Sequence, residues 1–202
     1  VGYDLQEFVA ADGKLSAAIL EQPLDAETIR VLIMDNGFKQ IFHDTIELTA
    51  NCDGEMIYEK ENGDHESSSF KKGDTFTFEA TDKKLEKGRM TLKPEDGEGI
   101  IVTSLERGQG QPVYSGSMEV KAEKDGLVLI NELYLEDYLK KVVPSEMPAS
   151  YEKEALKAQA VCARTYAYRQ IQGNAYGQYG AHVDDSTSFQ VYNNINTSER
   201  TD

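Results

Sequence analysis

The stretch that most limits the fold is residues 133–170, where a short apolar-periodic segment meets two prolines and then an alanine-rich run. Apolar residues at 135, 138, 139, 142 and 143 follow the i, i+3, i+4 spacing of an amphipathic helix. The spacing predicts a helix over Leu133–Val143. Pro144 is expected to stop it, because proline has no N–H and disfavours helical backbone in the residue before it. Pro148 adds a second stiff point, which places Glu146 on a short, restricted turn. Ser150 is the expected N-cap of a second helix over about Tyr151–Gln172, and Glu152 and Glu154 suit the positive end of its dipole. Lys153 leaves the capping box incomplete. Ala155, Ala158, Ala160, Ala163 and Ala167 allow close approach of another element, and Leu156, Cys162, Ala163 and Tyr166 are the expected buried stripe. Spacing alone leaves two readings of Glu146: an idle loop carboxylate between two core helices, or a reactive group.

The chain before this stretch reads as strands. Residues 1–28 form a lead-in with one apolar alternation, LSAAIL, and a helix-compatible DAETI. IRVLIM is a continuous apolar run of strand length, and Ile41-Phe42 and Ile46–Leu48 suggest one or two more strands. EMIYEK follows, and the polar Glu61–Ser69 reads as a loop. DTFTFEA alternates with period two, as a strand with one buried face does. RMTLK and GIIVTSL continue the pattern on either side of the turn-like PEDGEG. SMEVKAEKDGLVLINEL predicts a hairpin turning near Lys124-Asp125-Gly126, and the Gly- and Tyr-rich tail predicts a structured loop ending in a strand at Phe189–Tyr192. The composition of GQGQP at 108–112 marks a boundary. The expected class is α+β, with a β-rich part over 1–108 and a mixed, helix-bearing part over 109–202.

Charge narrows the partners. The chain has 36 acidic and 21 basic residues and a formal charge of −15, which argues against nucleic acid or an anionic membrane surface. Residues 1–130 hold 26 acidic and 14 basic side chains, and residues 131–202 hold 10 and 7, so the helix-bearing part is nearly neutral. Cys52 and Cys162 are expected to be free, packed thiols. The chain starts at Val1 without an export signal or long apolar run, as an excised or processed ectodomain would. No phosphate-binding glycine loop or nucleophile elbow occurs.

The run LYLEDYLKKVVPSEMPAS, then EALKAQAVCARTY and more loosely VDDSTSFQVY, resembles the signature of the SpoIID/LytB family, stage II sporulation protein D and amidase-enhancer-like proteins. The resemblance implies a lytic transglycosylase that cleaves the MurNAc–GlcNAc bond of peptidoglycan and leaves 1,6-anhydro ends. It implies action outside the cytoplasm, in sporulation or wall remodelling. It also implies further strands beyond Asp202, so that 109–202 would be a C-terminally incomplete catalytic part. The chemistry runs with one carboxylate, whereas hydrolytic glycosidases normally need two. Glu146 is the implied acid/base. It must start protonated near neutrality, which calls for apolar surroundings from Val143, Pro144, Met147 and Pro148.

Arg164, Ser188, Gln190 and Tyr192 match family positions and are candidate substrate-binding residues, alongside Ser186 and, more weakly, Lys157 and Gln159. Arg164 reads equally as a salt bridge. Amides and hydroxyls suit sugar hydroxyls, and a tyrosine can stack on a pyranose face. Some family members bind zinc near this segment through cysteines. Here only His182, Asp184 and Asp185 are at hand, so no metal and no cofactor are expected. The alternative function is a non-catalytic wall-binding module that stimulates a peptidoglycan amidase. A purely structural part of a wall-remodelling complex is a third.

Overall fold

A computed structural model describes the backbone of residues 3–11 and 14–23, and backbone with side chains for 27–192 apart from 36, 96–98, 109 and 174. The architecture is α+β. Strands β1 (Tyr3–Ala11) and β2 (Lys14–Pro23) form an antiparallel hairpin that includes LSAAIL. Of the helix-compatible DAETI, Asp25 and Ala26 lie outside the described residues, and Thr28 and Ile29 open a strand.

Two further sheets carry the rest. One has seven strands in the order β13-β3-β12-β11-β8-β5-β6, and the other four in the order β10-β9-β4-β7. In sequence these are β3 (Thr28–Leu32), β4 (Thr45–Ala50), β5 (Gly54–Lys60), β6 (His65–Phe70), β7 (Thr75–Glu79) and β8 (Gly88–Pro94). They continue as β9 (Ile100–Val102), β10 (Val113–Tyr114), β11 (Ser117–Glu123), β12 (Gly126–Tyr134) and β13 (Val183–Asp184). All pair antiparallel except β13, which lies parallel to β3.

Strand β3 explains the unbroken apolar run IRVLIM. Ile29, Val31 and Ile33 face the main core, while Leu32 and Met34 join Val128, Ile130 and Ala181 in a second cluster on the other side of the sheet. A strand covered on both faces has no polar face to alternate with. Strand β6 is the opposite case and corrects the expected loop at 61–69. Its HESSS side chains are all exposed because it pairs only with β5 at the sheet edge, so no apolar period marks it.

The composition boundary at 108/109 falls inside both sheets. The seven-stranded sheet draws β3, β5, β6 and β8 from one side of it and β11, β12 and β13 from the other, and β9 pairs with β10 across it. The chain folds back closely at this point: Arg107 and Gly110 exchange both backbone hydrogen bonds at 2.9 Å, and Val102 N–H reaches Pro112 O. Gly116 makes the next turn possible. It sits at φ +77°, and a Cβ there would lie 2.2 Å from the Glu132 carbonyl oxygen.

Helix α1 (Leu135–Glu146) packs Leu135, Tyr138, Leu139 and Val142 into the main core and also buries Val143. Burying each of the leucines and valines contributes roughly 1.5–3 kcal/mol. Helix α2 (Lys153–Gln172) packs against α1 and buries Leu156, Ala163 and Ala167. Cys162 is exposed and Tyr166 half-buried, so the expected stripe was rotated onto Ala167. Of the two cysteines only Cys52 is buried. The tail has its short strand at Val183–Asp184; residues 189–192 are irregular, because β3 offers its free edge to the earlier segment. No described helix is long and apolar enough to cross a membrane.

Candidate active site

Helix α1 begins without a side-chain cap, and its Leu135 N–H reaches the Glu27 carbonyl at 2.9 Å. Glu136 and Asp137 place negative charge in its first turn. The expected stop at Pro144 does not occur. Pro144 lies within the last turn, where its missing N–H costs one bond to the carbonyl four residues back, and the Ser145 hydroxyl donates to Lys141 O at 2.6 Å. The helix ends two residues later. Met147 precedes Pro148 and takes up extended backbone at φ −139°, ψ 122°, with its N–H on Val143 O. Glu146 is therefore the last residue of a helix and not a turn residue.

The connection to α2 is also built differently from the expectation. Glu152, not Ser150, is the N-cap; it has no side-chain cap bond, and its carbonyl accepts Ala155 and Leu156 N–H. Tyr151 stands in this connection with 52% of its surface exposed, five residues past Glu146. Sequence reasoning passed over it. An aromatic residue between a serine and an acidic run, where no apolar period calls for one, was the available signal.

Glu146 itself is exposed. Val143 is buried, Pro144 and Met147 are half-buried and Pro148 is exposed, so the apolar enclosure expected around the carboxyl is open. Its Oε1 accepts the Val191 backbone N–H at 2.9 Å. The site is thus made where the end of α1 meets loop 185–192. Tyr138, fully buried beneath it, has its hydroxyl pushed well up by burial, with the charges of Tyr166 and Glu146 adding to the rise. Two surface cavities, of about 600 and 320 Å³, are lined by sheet residues and by the β12–α1 junction, and not by Glu146.

The loop is closed on itself and on the core. Ser186 N–H meets Asp184 Oδ1 at 2.8 Å, Ser188 N–H meets the Ser186 hydroxyl at 3.1 Å, and Tyr192 N–H returns to Asp185 O at 3.3 Å. Gln190 is buried and turned inward: its Nε2 donates to Ala163 O at 3.4 Å, and the Tyr138 hydroxyl approaches its Oε1 at 3.5 Å. Tyr192 is 0% exposed. Its ring packs against Tyr114 and Tyr138 at centroid distances of 5.6 and 5.0 Å, and its hydroxyl donates to Asn131 Oδ1 at 2.9 Å. No face of that ring is left for a pyranose, which corrects the stacking role expected of it. Ser188 is exposed on the loop, and Ser186 is buried.

Arg164 clamps the helix pair. Its Nε and Nη2 each meet a Glu136 carboxylate oxygen at 2.7 Å, and the guanidinium holds the Glu136 carboxyl below its usual range. Lys157 pairs with Glu154 on the surface, and Gln159 is half-buried. The three residues weighed as metal ligands are engaged with protein donors. His182 Nδ1 accepts Arg30 N–H at 3.1 Å, Asp184 Oδ2 accepts the Tyr176 hydroxyl at 2.7 Å, and Asp185 faces Arg107 and Met34.

Comparison with known proteins places the helix pair and loop in one matched segment. The family model for Stage II sporulation protein, SpoIID, matches residues 123–202. The chain is 48% identical over 99 residues to an uncharacterised protein of Brachyspira hyodysenteriae, covering 49% of this chain and 25% of that protein. It is 46% identical over 65 residues to stage II sporulation protein D of Bacillus subtilis, covering 31% of this chain and 19% of that one. Over 63 residues it is 46% identical to an amidase enhancer of the same organism, covering 31% and 8%. The chain spans a quarter or less of the length of these relatives. No solved structure matches it.

Proposed function

We propose that this chain, whose residues 123–202 match the family model for Stage II sporulation protein, cleaves peptidoglycan glycan strands as a lytic transglycosylase with Glu146 as its single acid/base. One observation carries the reading: Glu146 ends a rigid helix, faces solvent, and has one carboxyl oxygen held by the Val191 N–H. With Oε1 occupied as an acceptor, the proton of the neutral acid resides on Oε2. That oxygen gives its proton to the glycosidic oxygen as the bond to C1 breaks. The C6 hydroxyl of the same sugar then attacks C1 and returns its proton to the carboxylate. The products are a free 4-hydroxyl and a 1,6-anhydro end, and the acid is regenerated without activated water. Orientation of the C6 hydroxyl carries much of the barrier reduction.

A bound strand supplies the cover that the free protein lacks, displacing water from Glu146 as it seats. Ser188 and Tyr151, both exposed on segments that flank Glu146, are the groups that meet the sugar; Tyr151 offers an aromatic face. Gln190 and Tyr192 serve by holding the loop. The substrate lies outside the cytoplasm, and the protein acts there.

The test is Glu146→Gln. Glutamine keeps a carbonyl oxygen for Val191 N–H, so the fold stays, but it cannot shuttle a proton. Release of anhydro ends, read by mass spectrometry, should fall by about 10²–10⁴-fold. A folded Gln variant that cleaves like wild type removes the assignment. The similarity to an amidase enhancer favours a second reading, a wall-binding module that stimulates an amidase. In that case wild type and Gln variant bind glycan alike, leave it uncut, and accelerate peptide release by an added amidase.

A further inference from the structure

One buried ion pair joins a residue outside the matched segment to the base of loop 185–192. Arg107, 7% exposed, follows β9 in the turn that leads to β10, and its guanidinium lies 4.3 Å over the Phe38 ring. One nitrogen, Nη2, donates to Asp185 Oδ2 at 2.9 Å and to the Met34 carbonyl. Asp185, 0% exposed, spends its other oxygen on Met34 N–H at 2.9 Å. Its own N–H continues the β13–β3 pairing onto Leu32 O at 3.2 Å. Three segments distant in sequence therefore converge on one carboxylate.

Asp185 is also the base of the loop that touches Glu146. The Asp185 carbonyl accepts Tyr192 N–H at 3.3 Å, and the residue beside Tyr192 is Val191, whose N–H is on Glu146. From Arg107 to Glu146 the path is thus one ion pair, one loop closure across the chain and one hydrogen bond. We infer that Arg107 is a positioning residue for Glu146, acting through Asp185 and the closure of loop 185–192. This rests on the reading of Glu146 as the acid/base. It deepens that reading by giving the β-rich first half of the chain, which lies outside residues 123–202, a part in setting the carboxyl.

A buried pair is a poor source of net stability, since desolvation offsets most of the attraction, but it fixes geometry when both partners have further bonds. Replacing both members by neutral residues of similar volume is accordingly tolerated better than removing one. The double variant Arg107→Met with Asp185→Asn keeps the fold and removes the charged tether; Arg107→Met alone reports the same path with a stability loss added.

The experiment follows hydrogen exchange at the Val191 amide in the ¹⁵N-labelled full chain, together with kcat and KM on glycan strands. In the double variant, with melting close to wild type, Val191 should exchange about tenfold faster. Its kcat should fall by about 100-fold, the scale of a 1 Å misplacement, while KM stays near the wild-type value. Arg107→Lys, which keeps the charge without the fork, should recover part of both. A folded double variant with unchanged Val191 exchange and unchanged kcat overturns the inference. So does loss of fold in both variants, which assigns the pair to the core alone. If wild type releases no anhydro ends, the proposed reaction fails, and exchange at Val191 still decides the tether.

Discussion

The two ends of loop 185–192 each bring a carboxylate to a backbone N–H, and the two carboxylates live in opposite surroundings. Asp185 is fully buried, with Arg107 and the Met34 amide on separate oxygens. Glu146 is exposed, with the Val191 amide on one oxygen. Burial pushes the Asp185 carboxyl up to about 6, against the pull of Arg107 and of the Met34 N–H. A carboxylate that must hold a loop in one place is best enclosed and multiply bonded. One that must meet a substrate and exchange a proton has to remain reachable, with one oxygen free of the protein's donors. Between them, eight residues lead from an enclosed carboxylate to an exposed one.

The sharpest way to break this contrast is to titrate the buried end. Asp185 is raised above its unfolded value of 3.8, so between about pH 4 and pH 6 the folded state holds more protons at this group than the unfolded chain does. Stability from this group is full below about pH 4 and is lost as pH rises through about 6. Buried His43 has the opposite sign: burial lowers it from 6.5, so its contribution is present above that value and lost on acidification. The clean quantity is therefore the wild-type stability minus that of Asp185→Asn. Measured by urea unfolding, this difference should shrink by on the order of 2–3 kcal/mol from pH 4 to pH 7. A flat difference would mean that Asp185 titrates as an exposed carboxyl does.

A smaller effect probes the hinge between the two ends. Tyr192 packs its ring in the core and spends its hydroxyl on Asn131, whose amide nitrogen is held by Ser115 O and Ser117 O at 2.8 and 3.1 Å. Tyr192→Phe keeps the ring contacts and leaves the Asn131 oxygen without its donor. The expected loss is about 1–3 kcal/mol in unfolding free energy. On the proposed reading the buried ring does not meet the sugar, so KM for glycan should hold. A large rise in KM with unchanged stability would return Tyr192 to the substrate.

What could be read from sequence divides along the same line. The strands whose side chains alternate or run wholly apolar, β3, β5, β7, β8 and the β11–β12 hairpin, were legible because burial writes itself into composition. Strand β6 was not, since an edge exposed on both faces selects nothing apolar. Pro144 misled because a proline in the last turn forfeits a single bond, and the stop fell to Pro148. The resemblance of its flanking motifs made Glu146 a candidate, but its hydrogen-bond partner was not legible: a backbone N–H at 191 leaves no trace in residue type. Gln190 and Tyr192 matched family positions, and matching did not say whether their polar atoms turn outward to sugar or inward to Ala163 and Asn131.

Arg164 gives the smallest effect and the one that separates scaffold from site most directly. Its bidentate pairing with Glu136 joins the start of α1 to the middle of α2, at side-chain exposures of 36% and 62%. Exposed pairs of this kind contribute about 0–1 kcal/mol, and the fork geometry places this one toward the upper end. Arg164→Ala should therefore lower unfolding free energy by up to about 1 kcal/mol. Glu136→Gln should do much the same, and the double variant should add little more, because either change alone already breaks the shared contact. Glycan KM should stay put in all three. If KM rises in Arg164→Ala but not in Glu136→Gln, the guanidinium leaves its partner to bind substrate, and the helix clamp becomes part of the site.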